Sequence, residues 1–305
     1  MANVGCDTSK DWVDIAFDGN VVRWERKKEV LEQGFAGLPA GSRVLIEPTG
    51  RYHRIVVQCA KAAGHDVRLV DPYAFSLYKR SFKPRASTDK ICALALARYA
   101  EKEWDIVRQS CEMPKHLRRL KDLLELREKQ TALRVAWKQS MDDIGNVPAA
   151  AKAAVKSMER SIKRIDDAIY AIVKKDPLYE EFLKIDGIGP VCAPCLVWLF
   201  RAFKFEHPDH AVSFVGLDVR VRESGKYAGR RMLTKRGPAF VRRLLACGAQ
   251  SLRCIQHFKP LFARYQSRGK RVTETNVIVA RKIVRTAFAV AYKGAQYERA
   301  KFFSP

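Results

Sequence analysis

Four residues carry the types and spacings that suggest chemistry. Asp7 closes the apolar stretch "NVGCD", Glu47 closes "RVLIE", and Asp89 opens the helical stretch "DKICALALA". Acids at the carboxyl ends of neighbouring strands converge on one edge of a sheet, and an acid at a helix start can complete the group. Clustered carboxylates hold Mg²⁺ or Mn²⁺ through hard oxygen ligands and leave coordination positions for phosphate oxygens. Each acid alone also suits a local role, with Asp7 as a turn former, Glu47 as a surface acid before Pro48 and Asp89 as a cap residue. The fourth residue is Ser224, in "RVRESGKYAGRR". It reads either as a Ser-Gly turn or as a nucleophile. Arg220, Arg222, Arg230 and Arg231 around it would stabilise an alkoxide and the charge that develops on an attacked phosphate.

Further candidates are for binding. In "FLKIDGIGPVCAPCLVWLF" the Gly187-Ile188-Gly189 step joins two apolar helical stretches, a helix-hairpin-helix pattern. Glycines let backbone approach a phosphate, and the following helix N-terminus offers N–H groups. Lys226, Lys235 and Arg236 extend the basic series around Ser224. Cys192-x-x-Cys195 and the pair Cys247 and Cys254 do not read as zinc ligands. The first two lie in an apolar run, and His207 and His210 lack partners at ligand spacing, so buried thiols are expected. No Walker loop, Ser/His/Asp order, dinucleotide fingerprint, helix-turn-helix or zinc finger is present.

The elements that must position these residues follow from patterning. "NVGCDTSKDWVDIAF" reads as strand, turn, strand; "SRVLIEPTG" and "HDVRLVDP" as strands; "YHRIVVQCAKAAG" as a helix. "STDKICALALARYAEKE" reads as a helix with Ser87 or Thr88 as its N-cap. Strands alternating with helices predict an α/β layer around a partly parallel sheet over 1–108. Residues 109–178 hold two long, charged, amphipathic segments around "GNVP", a helical hairpin or coiled-coil arm, with an ordinary two-helix domain as the alternative. Residues 179–305 read as mainly helical, apart from strand-like "DVRVRESGKY", which the basic helix "AFVRRLLACGAQSL" follows.

The charge sets the partner class. Among 305 residues the net charge is +24. From Arg201 onward 23 Lys and Arg stand against 6 Asp and Glu, so most of the excess is C-terminal. Such a field attracts polyanions, with nucleic acid as the expected partner. No stretch is apolar enough for a membrane span and no signal-peptide pattern opens the chain. The eight scattered cysteines predict free thiols in a reducing, cytoplasmic setting.

"GCDTSK", "LIEPTG", "STDKICALALA", "IDGIG" and "FVGLDVRVRESG…TKRGP", in that order and over nearly the whole chain, resemble the DEDD transposases of the insertion-sequence-110 family, to which the Piv-type DNA invertases are related. The resemblance implies a RuvC-like, ribonuclease-H-like N-terminal domain, a helical coiled-coil linker and a C-terminal transposase domain. It implies an Mg²⁺-dependent acidic tetrad and a serine nucleophile that forms a covalent phosphoserine link to DNA. It also implies guidance by a bridge RNA pairing with donor and target DNA, and assembly of dimers or tetramers with composite sites.

The first three acids of the family pattern fall on Asp7, Glu47 and Asp89, which makes these the expected metal ligands, and the serine falls on Ser224. The fourth acid falls on Cys92. Asp89 and Cys92, three apart, share a helix face, but a thiol is a soft ligand and Mg²⁺ prefers hard oxygen. Three readings stay open: the centre works with three acids and water, the centre is weakened, or Asp11 or Asp14 compensates. Beside the recombinase stand two other readings of the chain, a metal-dependent nuclease or junction resolvase without a covalent intermediate, and a catalytically degenerate nucleic-acid-binding relative.

Overall fold

The computed structural model describes residues 2–81, 88–107, 113–144, 146–220, 223–224, 227–229 and 231–302. Ser87, Arg222, Lys226 and Arg230 among the expected residues lie outside these. Contacts divide the chain into two compact units, Met1–Glu112 and Met113–Pro305.

The N-terminal unit is mixed α/β. Its strands are β1 (Asn3–Thr8), β2 (Trp12–Phe17), β3 (Asn20–Glu25), β4 (Arg43–Ile46) and β5 (Asp66–Leu69). Its helices are α1 (Lys28–Ala36), α2 (His53–Ala62), α3 (Pro72–Ser81) and α4 (Asp89–Glu103). The sheet runs β3-β2-β1-β4-β5. The first three strands form an antiparallel meander, and β1, β4 and β5 are parallel. The β2–β3 hairpin turns on Asp18-Gly19, both left-handed at φ 48° and 79°, the pair a two-residue primed turn favours. That turn sets Phe17 opposite Asn20 and, three pairs on, Asp14 opposite Arg23.

Strand alternation divides the core. Val4, Cys6, Val13, Ile15, Val44 and Ile46 face α1 and α2, with Leu31, Phe35, Val56 and Ala60. Leu45 lies on the other face, in a core with Phe75 of α3 and Leu96, Tyr99 and Ala100 of α4. Gly5 faces the same way. A Cβ there would lie 2.2 Å from the Ala93 carbonyl oxygen and 2.4 Å from the Ala97 nitrogen. The missing side chain is what lets α4 lie directly against β1.

The C-terminal unit is mainly helical, as expected. Helices α5 (Lys115–Asp142) and α6 (Ala149–Val173) form a long pair, followed by α7 (Pro177–Leu183), α8 (Ala193–Ala202) and α9 (Pro208–Val215). Two short hairpin sheets come next. β6 (Val219–Arg220) pairs with β9 (Met232–Leu233), and β7 (Glu223–Ser224) with β8 (Tyr227–Ala228). Then come α10 (Ala239–Leu252), α11 (Lys259–Ser267), α12 (Val272–Lys293) and α13 (Arg299–Phe302). Helix α8 is its axis, buried on every side from Ala193 to Phe200. Leu117, Leu120 and Leu124 of α5 and Ile165, Ile169 and Val173 of α6 share one core with α8, α10 and α12. Away from that core the pair is held by ions: Arg127 donates to both Asp166 oxygens at 2.5 and 3.2 Å, and Lys138 pairs with Glu159 at 2.8 Å. Among the described residues no helix is long and apolar enough to cross a membrane.

Candidate active site

The acids come together because of register. Asp7 pairs with Asp14 across β1–β2, and Asp14 with Arg23 across β2–β3. Cys6 pairs with Ile46, so Asp7 and Glu47 follow side by side, tied by the Glu47 amide donating to the Cys6 carbonyl at 3.3 Å. Arg23, Asp14, Asp7 and Glu47 therefore form one row across the sheet. Since Gly5 lies two residues before Asp7, and Leu45 two before Glu47, the row faces the α3–α4 side. Thr8 and Thr49 hydroxyls both donate to the Glu47 carbonyl at 3.4 Å and hold this strand end in place.

Helix α4 brings the rest. Thr88 is its N-cap, accepting from the Ile91 amide at 3.4 Å. Asp89 is thus the first helical residue rather than the cap, where its charge suits the helix dipole. It is more than half exposed and marks the open side of the group. Cys92, one turn on, is buried.

Burial, and then the negative charges of Glu47 and Asp89, push the Asp7 carboxyl up to about 6; Lys79 opposes this and Asp14 adds to it. Such a rise is the signature of carboxylates sharing a confined space. Two cations that residue types and spacing did not single out answer it. Arg23 forks onto Asp14 at 3.0 and 2.8 Å and stands 3.7 Å from Asp89. Lys79 of α3 places Nζ 3.7 Å from Glu47 Oε2, donates to Cys92 Sγ at 3.5 Å, and lies 4.6 Å from the centre of the Phe75 ring. The Asp18-Gly19 turn carried the signal for Arg23, because it fixes the Asp14–Arg23 pairing. For Lys79 the only signal was its i,i+4 relation to Phe75. Asp14, with a buried carboxylate in the row, is well placed among the two acids considered as replacements, but it is engaged by Arg23. Asp11 is exposed at the turn.

Asp7, Glu47 and Asp89 offer the hard oxygens that Mg²⁺ or Mn²⁺ takes, and the rise at Asp7 is what a divalent cation would reverse, so the donor set fits such an ion. As they stand, no three His, Cys, Asp or Glu side chains among the described residues are arranged to hold a metal. Cys192 and Cys195 are buried free thiols, the first pushed up to about 12 by burial. Cys247 and Cys254 are also free but exposed, unlike the buried thiols expected.

In the C-terminal unit Ser224 is exposed on β7, paired with Tyr227. Of its expected arginine surround, Arg220 is exposed on β6, and Arg231 stands 3.6 Å from Glu223, beside the serine. The base of this double hairpin is locked by two glycines. A Cβ on Gly216 would lie 2.0 Å from the Arg236 carbonyl oxygen, and one on Gly237 1.9 Å from the Phe214 oxygen; both are left-handed, at φ 75° and 93°. Arg242 of α10 donates to the Val215 and Gly237 carbonyls at 3.0 and 2.9 Å. Asp218 accepts from Thr234 and, at 3.3 Å, from Ser213. This lock accounts physically for "FVGLD" and "TKRGP". Lys235 and Arg236 sit within it, exposed, with Lys235 left-handed at φ 53°.

The Gly187–Gly189 turn is packed at its first glycine. A Cβ on Gly187 would lie 2.8 Å from the Gly248 oxygen and against Leu252, so α10 crosses the turn at close range. Gly189 faces open space, but its carbonyl accepts from the Cys192 and Ala193 amides, which were expected to be free. Asp186, just before, binds the C-terminal segment: Tyr297 donates to it at 2.9 Å and Arg299 at 2.6 and 3.0 Å.

Two family models match the chain. One, described as "Transposase IS116/IS110/IS902 family", covers residues 179–266. The other, a transposase model of the DEDD type from the same insertion-sequence family, covers 22–144. The first spans α8, α9, α10 and Ser224, and the second spans Glu47, Lys79, Asp89 and Cys92. The class is therefore that of an enzyme of DNA rearrangement, a transposase or recombinase. The "Pilin gene-inverting protein" of Moraxella bovis is 23% identical over 279 residues, covering 84% of this chain and 82% of that protein. Its counterpart in Moraxella lacunata is 24% identical over the same shares. The chain belongs to the IS110 family of transposases.

Proposed function

We propose that the chain is an RNA-guided DNA recombinase that exchanges strands through a phosphoserine link at Ser224, with the carboxylate row as its divalent-ion centre. The observation that supports this best is the shared space of Asp7, Glu47 and Asp89, where burial first and then the neighbouring negative charges raise Asp7 toward neutrality. The mixed sheet, three antiparallel strands continued by two parallel ones, supports the ribonuclease-H-like reading of the N-terminal unit. Asp7, Glu47 and Asp89 would hold Mg²⁺ or Mn²⁺, which supplies Lewis-acid stabilisation of phosphate charge when bound.

The step itself is a transesterification. A bond forms from Ser224 Oγ to phosphorus as the bond from phosphorus to a deoxyribose oxygen breaks, and the serine proton passes to the departing strand or to water. One phosphodiester replaces another of similar energy, so rejoining is the same step reversed and needs no nucleotide hydrolysis. Arg220 and Arg231, with Arg222, Lys226 and Arg230, carry the positive surround that stabilises the charge developing on phosphorus.

Lys235 and Arg236 at the hairpin base continue this phosphate-binding surface. The Gly187–Gly189 turn reads as a helix-hairpin-helix whose backbone meets phosphate through Gly189. The +24 charge, dispersed rather than set on one base-reading helix, suits a structured RNA held by shape and backbone. The 109–178 segment serves as a helical linker, and dimers or tetramers assemble the composite sites, in the cytoplasm.

The test is a covalent trap. Purified protein, its co-purifying RNA and donor and target DNA should give a denaturation-resistant protein–DNA adduct that Ser224→Ala abolishes. DNA breaks that persist in Ser224→Ala, without an adduct and dependent on Asp7, would refute the serine mechanism and establish hydrolysis by the acidic centre. Sequencing the bound RNA for segments complementary to the element's junctions tests the guide.

A further inference from the structure

The carboxylate centre contains a cation of its own. Lys79 rises from the last turn of α3 with its side chain about three-quarters buried. Its ammonium sits 4.6 Å from the centre of the Phe75 ring, one turn back on the same helix. Phe75 is fully buried and packed edge-on against Tyr99 at 6.0 Å, so the platform is rigid. From it Nζ reaches Glu47 Oε2 at 3.7 Å and Cys92 Sγ at 3.5 Å. It therefore stands on the Glu47–Cys92 side of the group, whereas the exposed Asp89 has Arg23 at 3.7 Å.

Charge and ligand chemistry give this placement a meaning. Asp14 and Arg23 form a neutral bidentate pair. Arg23 also stands 3.7 Å from Asp89, so one guanidinium answers the four carboxylates Asp7, Asp14, Glu47 and Asp89, and a net negative charge of three remains before Lys79 is counted. One ammonium and one divalent ion balance it; two divalent ions would overshoot. The thiol at Cys92 reinforces the count, because it is a poor ligand for a hard cation on the side where the ammonium already stands.

We propose that Lys79 is a built-in cation of the centre: it holds the Glu47–Cys92 side permanently, and the chain takes a single divalent ion between Asp7 and Asp89. This rests on the reading of the carboxylate row as a divalent-ion centre. Lys79 is on this account a positioning residue. It fixes Glu47 and occupies the place where a further carboxylate would bring in a second ion.

The experiment counts ions. Mn²⁺ is titrated into the full-length protein without DNA, followed by calorimetry and by the electron paramagnetic resonance signal of free Mn²⁺. The native chain should bind one Mn²⁺, Asp7→Asn none, and Lys79→Met/Cys92→Asp two, with each variant shown to be folded by circular dichroism. Cys92→Asp with Lys79 retained should stay at one. Two comparable sites in the native chain, both lost in Asp7→Asn, would overturn the role of Lys79 and leave the carboxylate centre standing. A native count of zero, or binding untouched by Asp7→Asn, would overturn both. The native count stands by itself if the double variant does not fold, and a folded double variant that still binds one ion refutes the proposal.

Discussion

Replacing Asp7 with asparagine should make the metal-free protein more stable while ending its activity. In the folded chain the Asp7 carboxyl is pushed from about 3.8 to about 6, first by burial and then by Glu47 and Asp89. Two pKa units correspond to roughly 3 kcal/mol of preference for the neutral form, and the remaining hydration of a half-buried group brings this to about 2 kcal/mol. The sign follows from proton counts. Between the ordinary aspartate range and about pH 6 the folded chain binds a proton that the unfolded chain has released, so stability falls as pH rises through that window. Above it the whole cost is present. An asparagine at this position stays neutral, so the Asp7→Asn variant escapes the cost above pH 6 and gains almost nothing below pH 4. Scanning calorimetry at pH 7.5 should show the N-terminal unit melting on the order of 5–10 °C higher in the variant, and the gap should close toward pH 4. Added Mn²⁺ should raise the native melting temperature and leave the variant unmoved. A variant no more stable than the native chain at pH 7.5, or a gain independent of pH, would refute the electrostatic account of the row.

Three further outcomes follow from packing and charge. Gly5→Ala forces a methyl into the α4 backbone and should destabilise the N-terminal unit by roughly 3 kcal/mol or more, measured by chemical denaturation. Gly216→Ala combines left-handed strain with a backbone clash at Arg236; limited proteolysis should cut the Ser224 hairpins much faster, while α8 and α12 keep their hydrogen-exchange protection. Nucleic-acid affinity should fall by roughly three orders of magnitude or more between about 50 and 200 mM salt, as for six or more phosphate contacts, and a flat salt response in filter binding would contradict the basic surface as the interface.

Much of the acidic centre was legible because strand alternation and strand ends are local properties. Asp7 and Glu47 end apolar strands, and a parallel neighbour relation brings such ends together. The hairpin at Asp18-Gly19 made even Arg23 readable in principle, since a two-residue turn fixes every pair behind it. Lys79 was barely legible: its i,i+4 relation to Phe75 is local, but its role depends on where α3 lies over the sheet edge, a tertiary fact. The Gly187 turn was legible only in part. A glycine near a helix start has the same sequence appearance whether a phosphate or another helix comes close; at Gly187 α10 comes close, while Gly189 faces open space. The two hairpins that carry Ser224 were read as strand and turn, but the glycine lock at their base joins residues some twenty apart, which no spacing rule announces.

Because Asp7 and Glu47 each sit two residues from a glycine or side chain that sets the sheet's packing, the centre has no alignment machinery separate from the fold. A slip of one residue between β1 and either neighbour would turn Asp7 toward α1 and α2 and point Cys6 at the helix where Gly5 must lie. Substitutions in the interior that leave the protein intact and soluble can therefore silence it, and inactive copies of such a sequence should accumulate changes along these strands as readily as at the acids themselves.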